Sequence, residues 1–276
     1  MISFRNITRI LNSIGVNRNT PVLVHIGRGL AGDVKGGTES LMGALLSTVD
    51  NVMLPAFTYS TMITPEDGPS NNNIEYGEKS GNNLNAKIFS HTMPSELHNQ
   101  DAIDILKHLP GTYRSIHPIF SCFGLGLDIA LIDHAPELPY QPIKILMDLG
   151  GWVLMMGTES AQNFSIHFAE KQAKRKQFVR WALTAEGVAE IPHFPGCSNG
   201  FHKLDYYLHD EIHKTSIENT QFSAVPLHTL ITTATALIHE DPFALLCNDL
   251  TCAFCSVVRA EVKTQITNSW KSESPN

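Results

Sequence analysis

Nowhere does the chain run through the roughly 18 consecutive apolar residues that a membrane-crossing helix needs, which excludes a helical span. Basic residues are few. The 20 Lys and Arg stand against 27 Asp and Glu, for a formal net charge of −7 with His neutral. The longest basic run is Lys174-Arg175-Lys176, which a solvated helix face explains. A nucleic-acid footprint is therefore disfavoured, and neither nucleic acid nor a membrane is expected as a partner. The segment Met1-Ile2-Ser3-Phe4-Arg5-Asn6-Ile7 lacks the basic-then-apolar form of a secretory signal, so a cytoplasmic protein is expected. Cysteine is scarce and odd in number: Cys122, Cys197, Cys247, Cys252 and Cys255. That count argues against a disulfide framework and suits reduced thiols or a metal. Internal repeats are also missing, which sets solenoids and propellers aside.

What is present is an ordinary globular composition, 42% hydrophobic and 17% charged over 276 residues. That length buries a substantial core, as one large domain or two small ones. The acidic surplus mildly suits a cationic or polyamine substrate, although solubility alone would account for it.

Phe4, Ile7, Ile10, Leu11 and Ile14 fall at helical spacing and predict an opening amphipathic helix over 3–18. Residues 21–26 read as a buried strand, followed by a glycine-rich loop, a helix over about 38–47 and a second strand at 51–57. This alternation argues for a sheet with parallel pairs and crossover helices. Residues 58–100 are polar, with tracts at Asn71-Asn72-Asn73 and Ser80-Gly81-Asn82-Asn83, and predict a long excursion that is mobile or functional. A turn is expected at 110–114, a short segment at 116–124, a helix at about 125–135, a Pro-rich link at 136–142 and a helix near 143–149. Further on, a helix over about 164–177 precedes a strand or two within 178–194, a Gly-Cys-Ser-Asn-Gly turn, and helices at about 202–215 and 227–239. The residues after Lys263 read as a frayed tail.

Four constellations carry chemistry. The first is the loop Gly27-Arg28-Gly29-Leu30-Ala31-Gly32-Asp33-Val34-Lys35-Gly36-Gly37. Its exposed N–H groups and the helix that follows suit a pyrophosphate, and chain reversal alone is the competing account. It is neither a Walker A loop nor a dinucleotide fingerprint. The second is Arg114-Ser115-Ile116-His117-Pro118, where a cation and an imidazole meet in an extended or turn segment. With 13 His in the chain, a structural turn is the simpler reading there.

The third is the apolar run Trp152-Val153-Leu154-Met155-Met156 between glycines, a buried strand, followed by His167 and Glu170 three residues apart. A strand that delivers an imidazole and a carboxylate to its C-terminal end is a common place for α/β chemistry, though an amphipathic helix with a surface His also fits. The fourth is Cys247-x4-Cys252-x2-Cys255, with Cys197 upstream. Four thiols with one CxxC knuckle can make a closed, structural zinc site, and buried apolar cysteines are the alternative.

These motifs stand in a telling order: Val24-His25 with Gly36-Gly37, Leu54-Pro55-Ala56-Phe57-Thr58, Arg114-Ser115-x-His117-Pro118-x-x-Ser121, Gly151-x-Val153-Leu154-x-x-Gly157, and Asn163-x-x-x-His167-x-Ala169-Glu170. Together they resemble the aminoglycoside 3-N-acetyltransferase family, the non-GNAT antibiotic acetyltransferases, from about residue 20 to 260. The resemblance implies acetyl transfer from acetyl-CoA to an amine of an aminoglycoside or other amino sugar. His167 would be the general base, and Glu170 would orient it or attract the cationic acceptor. His25, Gly27, Arg28, Gly29, Val34, Gly36 and Gly37 would receive the CoA chain, with Arg114, Ser115 and His117 lining the same cleft. Thr58, Tyr59, Glu66, Asp67 and Asn163 would meet the acceptor.

The chain departs from the family at Ile26-Gly27-Arg28, Tyr140-Gln141-Pro142 and Phe164, and its cysteine cluster is unexpected in the resistance enzymes. That cluster leans the reading towards a biosynthetic relative. A non-catalytic CoA- or sugar-binding relative and a zinc-stabilised interaction protein are the other readings. The expected fold is an α/β three-layer sandwich, with a central mixed, largely parallel sheet and helices on both faces. One acetyltransferase domain is expected over 1–263, with a substrate-side loop at 58–100, a Cys-rich element at 240–260 and a tail at 264–276. A homodimer is compatible with this.

Overall fold

The computed structural model describes residues 1–77, 83–127 and 133–273, with side chains through 268. The middle of the helix expected at 125–135 and the Ser80-Gly81-Asn82 part of the polar tract lie outside the described residues. The elements, in chain order, are α1 (Phe4–Ser13), β1 (Val22–Ile26), α2 (Leu30–Asp33), α3 (Gly37–Thr48), β2 (Val52–Pro55), β3 (Met62–Ile63), α4 (Gln100–Leu106), β4 (Thr112–Arg114), β5 (Cys122–Leu125) and α5 (Gln141–Asp148). They continue as β6 (Trp152–Met156), α6 (Ile166–Gln172), β7 (Phe178–Thr184), β8 (Gly187–Phe194), α7 (Leu204–Tyr207), β9 (His213–Ile217), β10 (Thr220–Pro226), α8 (Leu227–Glu240) and α9 (Ala253–Glu273).

Local chemistry sets the first helix. Ser3 accepts from the Asn6 N–H while the Asn6 side chain accepts from the Ser3 N–H, a reciprocal N-cap. Ile7, Ile10 and Leu11 then fall on one buried face. The helix stops where Gly15 takes φ +85°, a conformation that costs glycine little.

Seven strands form the main sheet in the order β4-β5-β2-β1-β6-β10-β9. Only the central trio is parallel, β1 pairing with β2 on one side and β6 on the other. The flanking pairs β2–β5, β4–β5, β6–β10 and β9–β10 are antiparallel. The sheet is mixed, as expected, but it is not largely parallel: two of its six pairings are parallel and four are antiparallel, because the β4–β5 and β9–β10 hairpins add to both sides of the central trio. Strand alternation distributes the core. Val22, Val24, Leu54 and Leu154 face α1, α3 and α4 through Ile7, Leu11, Leu41, Leu45 and Leu106. Leu23, Val153 and Met155 face α5, α6 and α8 through Leu146, Ala169, Leu230 and Ile231. Each such Leu or Ile contributes roughly 2 kcal/mol on burial, so both faces are covered and the structure is three-layered.

A second sheet, β3-β7-β8, packs through Phe57, Ile119, Phe120, Ala182 and Ile191. Among its described residues the loop at 58–100 is largely irregular, as its composition implies, apart from short turns and β3.

Three local expectations are corrected, and one helix is added. Residues 112–114 form strand β4 on the sheet edge instead of a turn, because β5 offers them an antiparallel partner. The helix expected at 202–215 shrinks to one short turn, and 213–226 becomes the β9–β10 hairpin, drawn into extended form by pairing with β6. Residues 100–106, between the polar stretch and the segment expected as a turn, form α4. The tail after Lys263 continues as helix to Glu273.

Candidate active site

The three parallel strands end together, and a cavity of about 780 Å³ opens at that end. Its walls include His25 in β1, Gly27 and Arg28 after it, Phe57 and Tyr59 after β2, Gly157 to Glu159 and Ala161 to Phe164 after β6, and His167. Phe194, Pro195, Gly196, Ser198 and Phe254 also line it. The carboxyl edge of parallel strands is where α/β sheets leave a crevice between connections that part to either face.

Gly27 is dictated by contact. Its N–H donates to the Met156 carbonyl at 2.8 Å, and a Cβ there would stand 1.8 Å from the Gly157 carbonyl oxygen. Only glycine lets β1 and β6 close at this point. Gly27→Ala is expected to cost about 3 kcal/mol or more, read as a lowered urea midpoint. A variant as stable as the parent would show that the two loops can separate.

His167 lies in the first turn of α6, whose start is held by Asn163. The Asn163 Oδ1 accepts from the Ser165 N–H at 3.1 Å and from the Ser165 hydroxyl at 2.5 Å. One helical turn on, Glu170 Oε2 accepts from His167 Nδ1 at 2.6 Å, with both side chains buried. Glu170 Oε1 accepts from Arg175 Nη1 at 3.1 Å. Burial pushes the Glu170 carboxyl up, but the hydrogen bond and charge of His167 and the Arg175 charge outweigh it and hold the group below its ordinary range. An ionised Glu170 can only accept, so Nδ1 carries the hydrogen, and in the neutral ring this leaves the lone pair on Nε2. The Phe201 ring packs edge-on at 4.7 Å, and Gln177 donates to the His167 carbonyl at 2.9 Å.

Arg175 reaches Glu170 because α6 ends in a reversing turn. Lys174 takes φ +56°, and the Arg175 N–H donates back to the Glu170 carbonyl at 2.9 Å, a Schellman closure. Arg175 Nη2 also donates to the carbonyls of Pro242 and Ala244 at 2.9 and 2.6 Å. The basic run read as a solvated face thus contains a buried arginine; the side chain is 1% exposed.

The structure brings His25, Gly27, Arg28, Tyr59, Asn163 and His167 to the cavity, with Glu170 directly behind His167. Gly29, Val34, Gly36 and Gly37 do not line it; Val34 is buried in a bridge to Ile2. Thr58 is buried, its hydroxyl donating to the Pro118 carbonyl at 2.7 Å, and Glu66 and Asp67 sit exposed on the loop away from the lining.

Arg114, Ser115 and His117 do not line the cleft either. Arg114 ties down the long loop by donating to the carbonyls of His91, Met93 and Ala56. The Ser115 hydroxyl meets His134 Nδ1 at 2.8 Å, and His117 Nδ1 accepts from the N–H groups of Ile119 and Phe120. Polar residues close in sequence here satisfy buried backbone. Residues that the sequence did not single out as site members include Arg175, His98, Glu159, Phe254 and the Gly196–Ser198 turn. His98, Phe254 and the Gly196–Ser198 turn reach the site from distant segments, whereas Glu159 and Arg175 lie close in sequence to Asn163 and Glu170 and are placed by the turns after β6 and α6.

Burial lowers the His25 imidazole to about 4 and His134 to about 3, with His117 lowered as well. Unfolded imidazoles take a proton near pH ~6.5 whereas these do so only well below it, so stability present above that pH is lost as pH falls. A loss of roughly 2 kcal/mol per such histidine is expected at pH ~5, measured by urea titration against pH ~7.5. Flat stability over that interval would mean these rings are solvated. Cys122 is buried too, its thiol pushed up to about 12, which makes it inert as a nucleophile.

The remaining four cysteines converge from three segments. The sulfurs of Cys197, Cys247, Cys252 and Cys255 all lie within 4.8 Å of one another, next in sequence to the cavity-lining Gly196, Ser198 and Phe254 but not lining the cavity themselves.

Fold and site together define an α/β protein with a buried imidazole–carboxylate pair in a cleft at the end of its parallel strands. The profile of the aminoglycoside 3-N-acetyltransferases matches residues 23–239, and the chain belongs to that family. It is 25% identical over 185 residues to the aminoglycoside N(3)-acetyltransferase VII of Streptomyces paromomycinus, over 63% of this chain. The match spans 62% of that relative, under two thirds of its length. Among solved structures, the apoenzyme of aminoglycoside acetyltransferase AAC(3)-IVa is similar at TM-score 0.75 and 19% identity, over 94% of this chain and 97% of that one. AAC-IIIb in a binary complex with CoASH is similar at TM-score 0.66 and 18% identity, over 86% and 96%. These two likenesses concern the fold. Among the described residues no helix is long and apolar enough to cross a membrane.

Proposed function

We propose that the protein transfers an acetyl group from acetyl-CoA to an amino group of an aminoglycoside or related amino sugar. The observation that carries this is His167, held by Glu170 at 2.6 Å and lining a cleft at the end of the parallel strands. The family membership and the CoASH complex of the similar AAC-IIIb support the choice of donor.

The cleft suits two substrates. Its volume lies within the ~300–1,000 Å³ typical of small-molecule sites, and apolar Phe57, Leu97 and Phe164 alternate there with polar groups. Arg28 is exposed at its edge, where its guanidinium suits the phosphates of the donor. Acetyl-CoA supplies an activated thioester carbonyl.

The chain's own part is proton handling. An ammonium ion has no lone pair, so the acceptor attacks only as the amine. His167 Nε2 takes a proton from that nitrogen as its bond to the carbonyl carbon forms, and ionised Glu170 stabilises the resulting imidazolium. The carbon–sulfur bond then breaks, and the proton on His167 is available to the departing thiolate. Attack is direct, since the buried thiol of Cys122 is no nucleophile. Tyr59 and Asn163 line the acceptor side, and the cleft carboxylate Glu159 suits a cationic sugar.

We propose also that Cys197, Cys247, Cys252 and Cys255 hold a structural zinc ion, closed by four thiolates with no position open for catalysis.

The test is turnover. Acetyl-CoA is incubated with a panel of aminoglycosides, amino sugars and simple amines, and thiol release is followed. Release dependent on an amino sugar is expected. Tight acetyl-CoA binding with no turnover on any amine would replace this reading with a non-catalytic CoA-binding relative.

A further inference from the structure

We infer that the metal held by the four thiols builds the acceptor-side wall of the cleft and steadies the His167–Glu170 pair, an inference that rests on the zinc reading above. Zinc is the metal that a compact four-thiolate group favours. A tetrahedral ion with Zn–S ~2.3 Å sets its sulfurs ~3.8 Å apart. The sulfurs lie within 4.8 Å, so they need close by only about 1 Å on binding. The Asn199 N–H already donates to Cys197 Sγ at 3.4 Å, the kind of bond that favours a thiolate.

Two of the segments these thiols join contribute to the lining of the cleft. Cys197 stands between Gly196 and Ser198, and Cys252 and Cys255 bracket Phe254; Gly196, Ser198 and Phe254 all face the cavity. The two segments sit in close contact. A Cβ on Gly200 would stand 2.2 Å from the Leu245 carbonyl oxygen, and one on Gly196 would stand 3.7 Å from the Phe254 Cβ. Lys203 Nζ donates to the Leu246 carbonyl at 2.6 Å, and Arg259 donates to the carbonyls of Cys247 and Asp249.

A second line runs to the chemistry. Pro242 and Ala244, just before Cys247, present the carbonyls that fix Arg175, and Arg175 fixes Glu170. Without a metal the four sulfurs have only weak polar partners, the Asn199 N–H for Cys197 and the Asp249 carbonyl for Cys247, among apolar neighbours such as Leu246 and Val258. With one ion, residues 242–255 become a rigid brace behind both the acceptor wall and the base. The zinc is a positioning element that touches no substrate.

The experiment uses the full chain, purified under reducing conditions with zinc present. Metal analysis is expected to find one zinc per chain, and Cys252→Ser to lose it. No zinc in the parent overturns the metal reading and this inference together. Zinc is then removed with a chelator, and hydrogen exchange is followed over 195–200 and 242–255. Faster exchange there, restored by adding zinc back, is expected, with gentamicin binding weakened about 10-fold while acetyl-CoA binding is unchanged. Phe254→Ala, which keeps all four thiols, is expected to keep its zinc and weaken gentamicin binding alone. Zinc present, with exchange and gentamicin affinity indifferent to its removal, would overturn the wall and leave the metal standing.

Discussion

Replacing His167 by alanine is expected to lower kcat by about 10²-fold or more, with little change in the affinity for acetyl-CoA. The geometry explains why the loss falls on the chemical step. His167 is the imidazole of the cleft with a carboxylate behind it, 2.6 Å from Nδ1, so its other nitrogen is the basic one. A base acts on a proton that moves only as the new bond forms, which places its contribution in the transition state. Glu170→Gln is expected to lower kcat in the same direction, because an amide cannot stabilise the imidazolium and can reverse the tautomer. Steady-state kinetics of both variants on the acceptor found by thiol release is the check. Near-normal kcat for His167→Ala would remove the histidine from the mechanism.

Arg175→Met is expected to cost about 3–5 kcal/mol of stability, because it strands a buried carboxylate. Glu170 would keep only its bond to His167, and the carbonyls of Pro242 and Ala244 would lose their donor. In a chain of this size such a loss lowers Tm by on the order of 10 °C. The double variant Arg175→Met with Glu170→Gln is expected to recover part of it, since no lone charge then remains. The sign with pH follows from Glu170, which is held below its ordinary range. Its contribution is present at neutral pH and is lost as pH falls through the folded-state value. A single variant within about 1 kcal/mol of the parent would mean water reaches the pair.

The parts of the site that were legible in the sequence are those made by local geometry. His167 and Glu170 are neighbours because residues three apart share a helix face, and the apolar run before them reads as a buried strand. The Cys252-x2-Cys255 knuckle is local in the same way. Where the reading failed, a short-range cluster was assumed to face the cleft. Arg114, Ser115 and His117 stand together in the chain, yet their polar atoms are consumed by loop carbonyls, by His134 and by backbone N–H groups. The hairpin at 213–226 was missed for a related reason. Its extended form is selected by the free edge of β6, and no short-range spacing reports that edge.

Arg175 is the sharpest case. Between two lysines it has the profile of solvent-facing charge, and its buried role exists only because Lys174 turns the chain back after α6. What the sequence determined by itself was the α/β alternation, the imidazole–carboxylate spacing and the supply of four thiols in a cysteine-poor chain. The tertiary structure alone decided which polar groups reach the cleft, that Cys197 joins the other three sulfurs, and that one arginine links the C-terminal segment to the base. The reason is physical. Helix and strand periods are read over a few residues, whereas burial of a charge is settled by the carbonyls and carboxylates that distant segments bring to it.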